Sequence, residues 1–217
     1  HGSGARLEMS LFGKRKLSTM LRCLWFTFAL ISAAAWADDA ADPLVINGCG
    51  IWPHAQCQGV DLRHANLAGK NLAGADFSGA KMARVDLRGA NLAGANFDGA
   101  DLTAARMNKV SAATATFRNA RLIGADLEFA RIFRADFSGA DLTGASLEAA
   151  KANFSWFTRA KLVNANLQET KFFTVNFGHA DLTGAFRKYT IFPDAFLLAV
   201  LAAQPRIGNE VSRFNAA

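Results

Sequence analysis

The sequence is poor in the residues from which catalytic centres are built. It contains only four histidines and three cysteines among 217 residues. His64 and His179 are far apart in the chain, and no glycine-rich phosphate loop precedes a predicted helix. The aspartates recur at regular intervals, which is typical of turn residues that hydrogen-bond locally. We therefore expect no enzymatic activity, no metal site of catalytic type and no cofactor.

The periods of an ordinary helix and of a flat strand are both missing from the central part of the chain. Instead, every fifth residue from Leu62 to Leu182 is apolar, and all 25 of these central positions are Leu, Phe, Met, Ile or Ala. Alanine stands two residues earlier in 18 of the 25 cases. A chain with this period must turn once per repeat, which indicates a stacked solenoid.

A longer period of 20 residues gives the number of repeats per coil. One column contains only phenylalanine: Phe77, Phe97, Phe117, Phe137, Phe157 and Phe177. Another alternates in sign: Asp61, Lys81, Asp101, Arg121, Asp141, Lys161 and Asp181. Four five-residue sides per coil follow from these columns, and residues 60–185 then form about six coils.

Units such as Ala75-Asp76-Phe77-Ser78-Gly79 strongly resemble those of the pentapeptide-repeat proteins. The resemblance covers roughly residues 59–185 and implies an all-β fold, a right-handed quadrilateral β-helix. It says little about function, which depends on surface sites. Some members of the family imitate DNA and bind type II topoisomerases.

The N-terminal residues resemble processing segments. Residues 1–8 look like remnants of an expression vector, and residues 9–37 look like a signal peptide. The basic run Lys14–Lys16 precedes an uncharged stretch of 15 residues, Cys23–Ala37, which ends in a small-x-small site. We expect export to the periplasm or an equivalent non-cytoplasmic compartment, with no membrane span after cleavage. The alternative is an uncleaved membrane anchor.

Most of the basic character belongs to this leader. The whole chain has a formal net charge of +6, but the part after residue 37 has 19 basic and 17 acidic residues, a net charge of +2. The basic isoelectric point therefore does not indicate a nucleic-acid partner.

The two ends of the solenoid need covers, because an open strand edge pairs with other chains. Residues 38–59 are predicted to be a linker and an N-terminal cap. Within them, Cys49 and Cys57 favour a disulfide in an oxidising compartment, with free thiols or a weak metal site that includes His54 as alternatives. Residues 186–217 are predicted to be a capping helix and a tail, with the helix over 195–203. A docking or dimerisation helix is the alternative there.

A group of cationic and aromatic residues occurs only in the second half of the repeats. Its members are Phe129, Arg131, Phe133, Arg134, Lys151, Phe154, Trp156, Lys171 and Phe173. The matching early positions are Asn71, Asn91, Ala73 and Ala93. Outward aromatic and arginine side chains are typical of contact surfaces, so we expect this group to bind a partner. The alternatives are that Phe154 turns inward at a bulge or that the terminal helix covers the group.

These observations favour a non-enzymatic exported scaffold that presents a rigid surface to a protein, to a second copy of itself or to an anionic glycan. The alternative, a topoisomerase-binding DNA mimic, requires a cytoplasmic location and a strongly negative surface. The predicted leader and the balanced charge do not favour it.

Overall fold

The computed structural model describes residues 44–191. They begin with an antiparallel hairpin of two short strands, β1 (Val45–Ile46) and β2 (Cys49–Gly50). No helix occurs between residues 44 and 191. The predicted leader and the predicted terminal helix lie outside the described residues.

After the hairpin, the chain forms a ladder of parallel backbone pairs. Each pairing residue has its partner 20 positions later, from Gln56 with Asp76 to Lys171 with Ile191. Pairs of this kind occur once in every five residues. The prediction of a four-sided coil is therefore confirmed.

One unit, Ala75–Gly79, shows why the repeat has its sequence. Four of its five backbone N–H groups donate to backbone carbonyls, one closing the turn and three reaching neighbouring coils. The fifth, from Ser78, donates to Oδ1 of Asp76 at 2.9 Å. The same bond forms wherever Asp or Asn precedes a central residue. The short side chain of Asp or Asn at this position accepts the one backbone N–H of the unit that has no backbone acceptor in the ladder.

Each corner is a turn whose third residue has a positive φ, as in a type II turn. Gly79, with φ of 63°, adopts this conformation without steric cost. Phe129 and Phe154 adopt it too, with φ of 57° and 61°. A residue with a side chain is disfavoured there compared with glycine, although other corners, such as those of Arg84 and Tyr189, carry side chains too.

The core consists of the central and inward side chains of all four sides, and the phenylalanine column runs through it along the axis. The six phenylalanines of the 20-residue column are stacked, with successive ring centroids 4.7 to 5.3 Å apart. Offset stacking of this kind combines a large buried apolar area with a favourable ring geometry. Alanine on the adjoining inward positions leaves room for the rings.

Three inward positions near the C-terminal end carry a hydroxyl instead of alanine. Each hydroxyl donates at 2.6 Å to the carbonyl of a central residue in the previous coil: Ser155 to Ile132, Thr170 to Leu147 and Thr190 to Leu167. All three side chains are buried. The hydrogen bond compensates the cost of burying a polar group.

The solenoid is longer than the predicted range 60–185. Its ladder already includes Gln56, and it continues through Phe186 to Ile191, which gives nearly seven coils instead of about six. The central position after Phe186 is Arg187, which ends the apolar pattern in the sequence. The ladder continues because its hydrogen bonds join backbone groups and Thr190 still fills an inward position.

Candidate interaction surface

Each side of the solenoid stacks one five-residue unit per coil. We call one of these sides the basic face; it consists of residues 70–74, 90–94, 110–114, 130–134, 150–154 and 170–174. On it, Arg131 pairs in the ladder with Lys151, and Lys151 pairs with Lys171. Three exposed cations therefore follow one another at the spacing of neighbouring strands, about 4.8 Å.

The net charge of the solenoid is concentrated on the basic face. Residues 44–191 contain 17 Lys and Arg and 12 Asp and Glu, a net charge of +5. The basic face holds no acidic residue and five basic ones: Lys70, Arg131, Arg134, Lys151 and Lys171. The other three sides together are neutral. One side thus carries the whole excess of positive charge.

Some cations on the other sides form ion pairs, among them Arg63, Arg118 and Lys161. Arg118 lies 2.9 Å from a carboxylate oxygen of Asp136, and a hydrogen bond from Arg63 lowers the pKa of Asp61 to about 2. Within residues 44–191, the later-coil cations of the basic face make no ion pair. Their mutual repulsion is small because they are exposed and screened.

Aromatic rings lie beside these cations at the corner that follows the basic face. Phe133 and Phe154 contact each other edge to face, with ring centroids 5.3 Å apart. The guanidinium of Arg134 lies 5.3 Å from the Phe133 centroid and 6.0 Å from that of Phe154. Trp156, just past the corner, is 45% exposed. The corner therefore presents a cation–aromatic cluster to solvent.

A shallow groove of about 500 Å³ runs along this corner. Its lining residues are Arg134, Phe154, Ser155, Trp156, Thr174, Val175 and Asn176. The lining is predominantly apolar, with a cation at one end and an amide at the other. Its volume is in the range of small-molecule sites.

The basic face also exposes backbone donors. Arg131 and Lys151 occupy the position at which Asp or Asn accepts a turn N–H elsewhere. In consequence, the N–H groups of Phe133 and Asn153 have no acceptor among residues 44–191. The later part of the basic face therefore offers donors and cations without carboxylates to match them.

A comparison with known protein families identifies the five-residue repeat. A family model described as pentapeptide repeats matches in eight copies, over residues 55–92, 80–111, 114–148 and 157–186. The chain belongs to the pentapeptide repeat family. Its fold is accordingly the right-handed quadrilateral β-helix of that family.

Several solved pentapeptide repeat structures are similar. HetL, involved in heterocyst differentiation regulation in the cyanobacterium Nostoc sp. strain PCC 7120, is 29% identical over 63% of this chain and 68% of its own, with a TM-score of 0.37. A pentapeptide repeat protein of the Arabidopsis thaliana thylakoid lumen is 28% identical over 53% of this chain and 77% of its own, with a TM-score of 0.31. QnrB1, a plasmid-mediated fluoroquinolone resistance protein, is 20% identical over 64% of this chain and 81% of its own, with a TM-score of 0.46. A comparison with curated protein sequences gave no significant match.

The family match is interrupted where the candidate surface lies. Residues 149–156, between two matched segments, include Lys151, Phe154 and Trp156. The pentapeptide ladder itself is uninterrupted there, since Lys151 pairs on both sides and Ala152 is fully buried. Both the surface and the interior of this segment differ from the usual unit, because Ala152 takes a central position that a larger residue fills in most other units and Ser155 an inward position that alanine fills in most other units.

The structure brings together most of the predicted partner-binding residues. Phe133, Arg134, Phe154 and Trp156 share one corner, and Phe173 continues it in the next coil. Phe129 lies at the opposite corner of the basic face, apart from this cluster. The suggested bulge over residues 151–154 is wrong. Phe154 is 42% exposed, because its turn puts the side chain outside while Ala152 occupies the inward position.

Sequence reasoning missed part of the groove. Ser155 and Asn176 also line it. The 20-residue period could have identified Asn176, because residues 20 positions apart are ladder partners and Asn176 pairs with Trp156. The five-residue period alone does not show that these two residues are neighbours, since they lie one coil apart.

The hairpin is joined to the first coil through a disulfide between Cys49 and Cys57. Both side chains are buried, and Cys57 stands in the same column as the stacked phenylalanines. Within residues 44–191, no cluster of three or more His, Cys, Asp or Glu side chains could hold a metal ion. The same residues contain no helix that is long and apolar enough to span a membrane.

Proposed function

We propose that the protein is a non-enzymatic exported scaffold that binds a protein or an anionic partner through the later coils of its basic face. The observation that carries this proposal is the segregation of charge. The excess of five positive charges lies on one side, and four of the five cations, Arg131, Arg134, Lys151 and Lys171, are in the later coils next to exposed aromatic rings. Arginine and aromatic residues are the types enriched at the centres of interfaces.

Several rings of this surface remain partly in water. Phe133, Phe173 and Phe154 are 37%, 38% and 42% exposed. Exposed aromatic side chains of this kind are typical of contact surfaces. The export part of the proposal rests on the sequence of residues 9–37 alone, and N-terminal sequencing of the secreted protein tests it separately.

The DNA-mimic alternative has no observation in its favour. A DNA mimic must present negative charge to its target, whereas residues 44–191 have a net charge of +5 and one side without any carboxylate.

Site-specific photo-cross-linking in cells that export the protein tests the proposal. A photoreactive phenylalanine analogue replaces Phe173 in one variant and Ala93, at the same position of an earlier coil, in the control. We expect adducts from position 173 and none from position 93. Equal labelling from both positions, or from neither, would contradict the proposal.

A further inference from the structure

The later coils carry opposite charges on two adjoining sides. We propose that the basic face binds a second copy of the chain, on the side that precedes the basic face in each coil, and that four copies close into a ring. This inference rests on the proposed function of the basic face and names its partner. We call the three ladder cations of the later coils the basic row: Arg131, Lys151 and Lys171.

The charges of the two sides balance. In the later coils, the preceding side consists of residues 125–129, 145–149 and 165–169. It contains no basic residue and four acidic ones: Asp126, Glu128, Glu148 and Glu169. The same coils of the basic face contain no acidic residue and four basic ones, Arg134 and the basic row. Charges of −4 and +4 therefore meet when these sides of two copies come together, which is the complementarity that favours a specific interface.

The carboxylates of the preceding side form a row along the axis. Asp126 is a ladder residue, and Ser146 and Asn166 follow it in the ladder, each one coil later. The hydroxyl of Ser146 donates to Oε1 of Glu128 at 3.2 Å. The amide of Asn166 donates to Oε2 of Glu148 at 2.8 Å. Each glutamate therefore places its carboxylate over the ladder position of the next coil. We call these three residues the acidic row: Asp126, Glu128 and Glu148.

The two rows match coil by coil. The ladder residues of the two sides are five positions apart in the chain, so they differ in height by only about a quarter of the coil spacing. Neither row makes an ion pair within residues 44–191. Between two copies at the same height, the pairs are Asp126 with Arg131, Glu128 with Lys151 and Glu148 with Lys171.

The contact is confined to the later coils. In the coil before the acidic row, the preceding side carries Arg106 and Lys109, and the basic face carries no charged residue over 110–114. No matched charges hold the copies together there. A slight tilt of the copies then separates their earlier coils, including position 93.

The four-sided cross-section determines how many copies close. Adjacent sides of a coil made of four equal units are related by about a quarter turn around the axis. Each contact between the basic row of one copy and the acidic row of the next therefore adds a quarter turn, and the fourth copy contacts the first. A head-to-tail contact whose rotation closes in this way gives a ring. A pair of copies would leave one row of each sign unpaired.

The corner shared by the two sides faces the axis of the ring. Phe129 stands at this corner and is 54% exposed. In the ring its four copies lie near the axis and add apolar contacts to the ion pairs. Glu169 stands at the same corner two coils later, next to Lys171 of the adjoining copy.

The first test measures the mass of the full exported protein by sedimentation velocity at two salt concentrations. Exposed ion pairs are screened by salt, and the Debye length falls from about 30 Å at about 0.01 M to about 3 Å at about 1 M. We therefore expect a tetramer at the lower concentration and a monomer at the higher one. A monomer at both, a closed dimer, or a tetramer that salt does not affect would overturn the inference.

The second test reverses charges in the two rows. Glu128→Lys and Lys151→Glu each bring like charges together, so each should raise the protein concentration needed for assembly at least about tenfold. An equimolar mixture of the two variants should assemble like the original protein, because reversed sides then pair with each other and unchanged sides with each other. Only residues of different copies can be rescued by mixing. A mixture that stays monomeric would overturn the inference.

The matched control is Arg159→Glu, a reversal of an exposed cation at a corner that belongs to neither side. It should change the assembly concentration less than about twofold. Circular dichroism checks that every variant is folded. An effect of Arg159→Glu as large as that of Lys151→Glu would show that the total charge, and not the pairing of the rows, governs assembly, and would overturn the inference.

The outcome separates this inference from the proposed function, because the mass of each adduct from position 173 shows whether a second copy or another protein was captured. Adducts with another protein, together with a monomer at low salt, would overturn the ring and leave the proposed function intact. A monomer at low salt without any adduct from position 173 would overturn both proposals.

Discussion

The ring of Phe117 lies parallel to the ring of Phe137, with centroids 4.7 Å apart and planes only 3° from parallel. Phe97 lies on its other side at 5.0 Å with the same inclination. The ring is therefore enclosed above and below by other rings, and its side chain is fully buried.

We expect Phe117→Ala to reduce the free energy of unfolding by about 3–5 kcal/mol, because it removes a fully buried ring and leaves a cavity in the stack. Urea denaturation followed by circular dichroism measures the loss. Phe173→Ala, which truncates a ring that is 38% exposed, is the control and should cost clearly less. A loss below about 1 kcal/mol for Phe117→Ala would show that the ring is not enclosed as described.

Much of this architecture can be predicted from the sequence, because its period is imposed by packing. The column that contains Phe117 fixes 20 residues per coil, and the small residue before each central position fixes which side faces inward. Both features reflect the same physical constraint: the interior is narrow, so a phenylalanine ring can fill it only where the adjoining inward residue is small.

Other features are invisible to such a pattern. The sequence predicts that the solenoid ends at residue 185, because the apolar pattern stops there. The ladder nevertheless reaches Ile191, because it depends on backbone hydrogen bonds. In the sequence, Thr170 is a polar residue at an inward position where alanine is expected. In the structure its hydroxyl donates a hydrogen bond to a backbone carbonyl, so the side chain is accommodated in the core. The groove beside Trp156 requires knowledge of which residues adjoin one coil away.

The Cys49–Cys57 bridge should stabilise the N-terminal end of the solenoid. In the chain-entropy model, closing so short a loop contributes about 2.5 kcal/mol. We expect mass spectrometry of the exported, unreduced protein to find no alkylatable thiol at either position. A Cys49→Ser, Cys57→Ser double variant should unfold at a lower denaturant concentration. Two free thiols in exported material would contradict the prediction.

The solenoid should lose stability in acid as its paired aspartates are protonated. The hydrogen bond from Arg63 lowers the pKa of Asp61 from 3.8 to about 2, and that from Arg88 lowers the pKa of Asp86. A pKa lowered in the folded state means that the unfolded state binds more protons. The contribution is therefore present above about pH 3.8 and is lost as the pH falls towards about 2.

Denaturant titrations at several pH values across that window measure the effect. The control is Asp61→Asn with Asp86→Asn, because asparagine keeps the acceptor for the turn N–H, as at Asn91, but cannot titrate. The control should lose less stability in acid than the original protein. An identical loss would show that these two carboxylates are not responsible.

Phe129 should be replaceable by glycine with a gain in stability. It stands at a turn with φ of 57°, is 54% exposed, and occupies the column in which Gly69 and Gly89 stand in earlier coils. Glycine removes the cost of a side chain in the left-handed region, and we expect Phe129→Gly to stabilise the fold by about 0.5–1 kcal/mol. Phe129→Ala, which keeps the strain and loses the ring, serves as the comparison. If the glycine variant is no more stable than the alanine variant, the left-handed backbone conformation at residue 129 does not cost stability.

The rings of Phe133 and Phe173 should matter more for binding than for folding. Both stand at the first turn residue of a basic-face unit, where earlier coils have Ala73 and Ala93. Because each ring is already more than a third exposed, we expect Phe133→Ser with Phe173→Ser to lower the free energy of unfolding by about 2–3 kcal/mol, less than the loss of two fully buried rings, and to leave the protein folded. The same change should abolish cross-linking from a photoreactive residue placed at the neighbouring position 151, and any self-association detected by sizing. Ala73→Ser with Ala93→Ser, on the same column, controls for the added hydroxyls. A folded double variant that still assembles and cross-links as before would show that this surface has no role in partner binding.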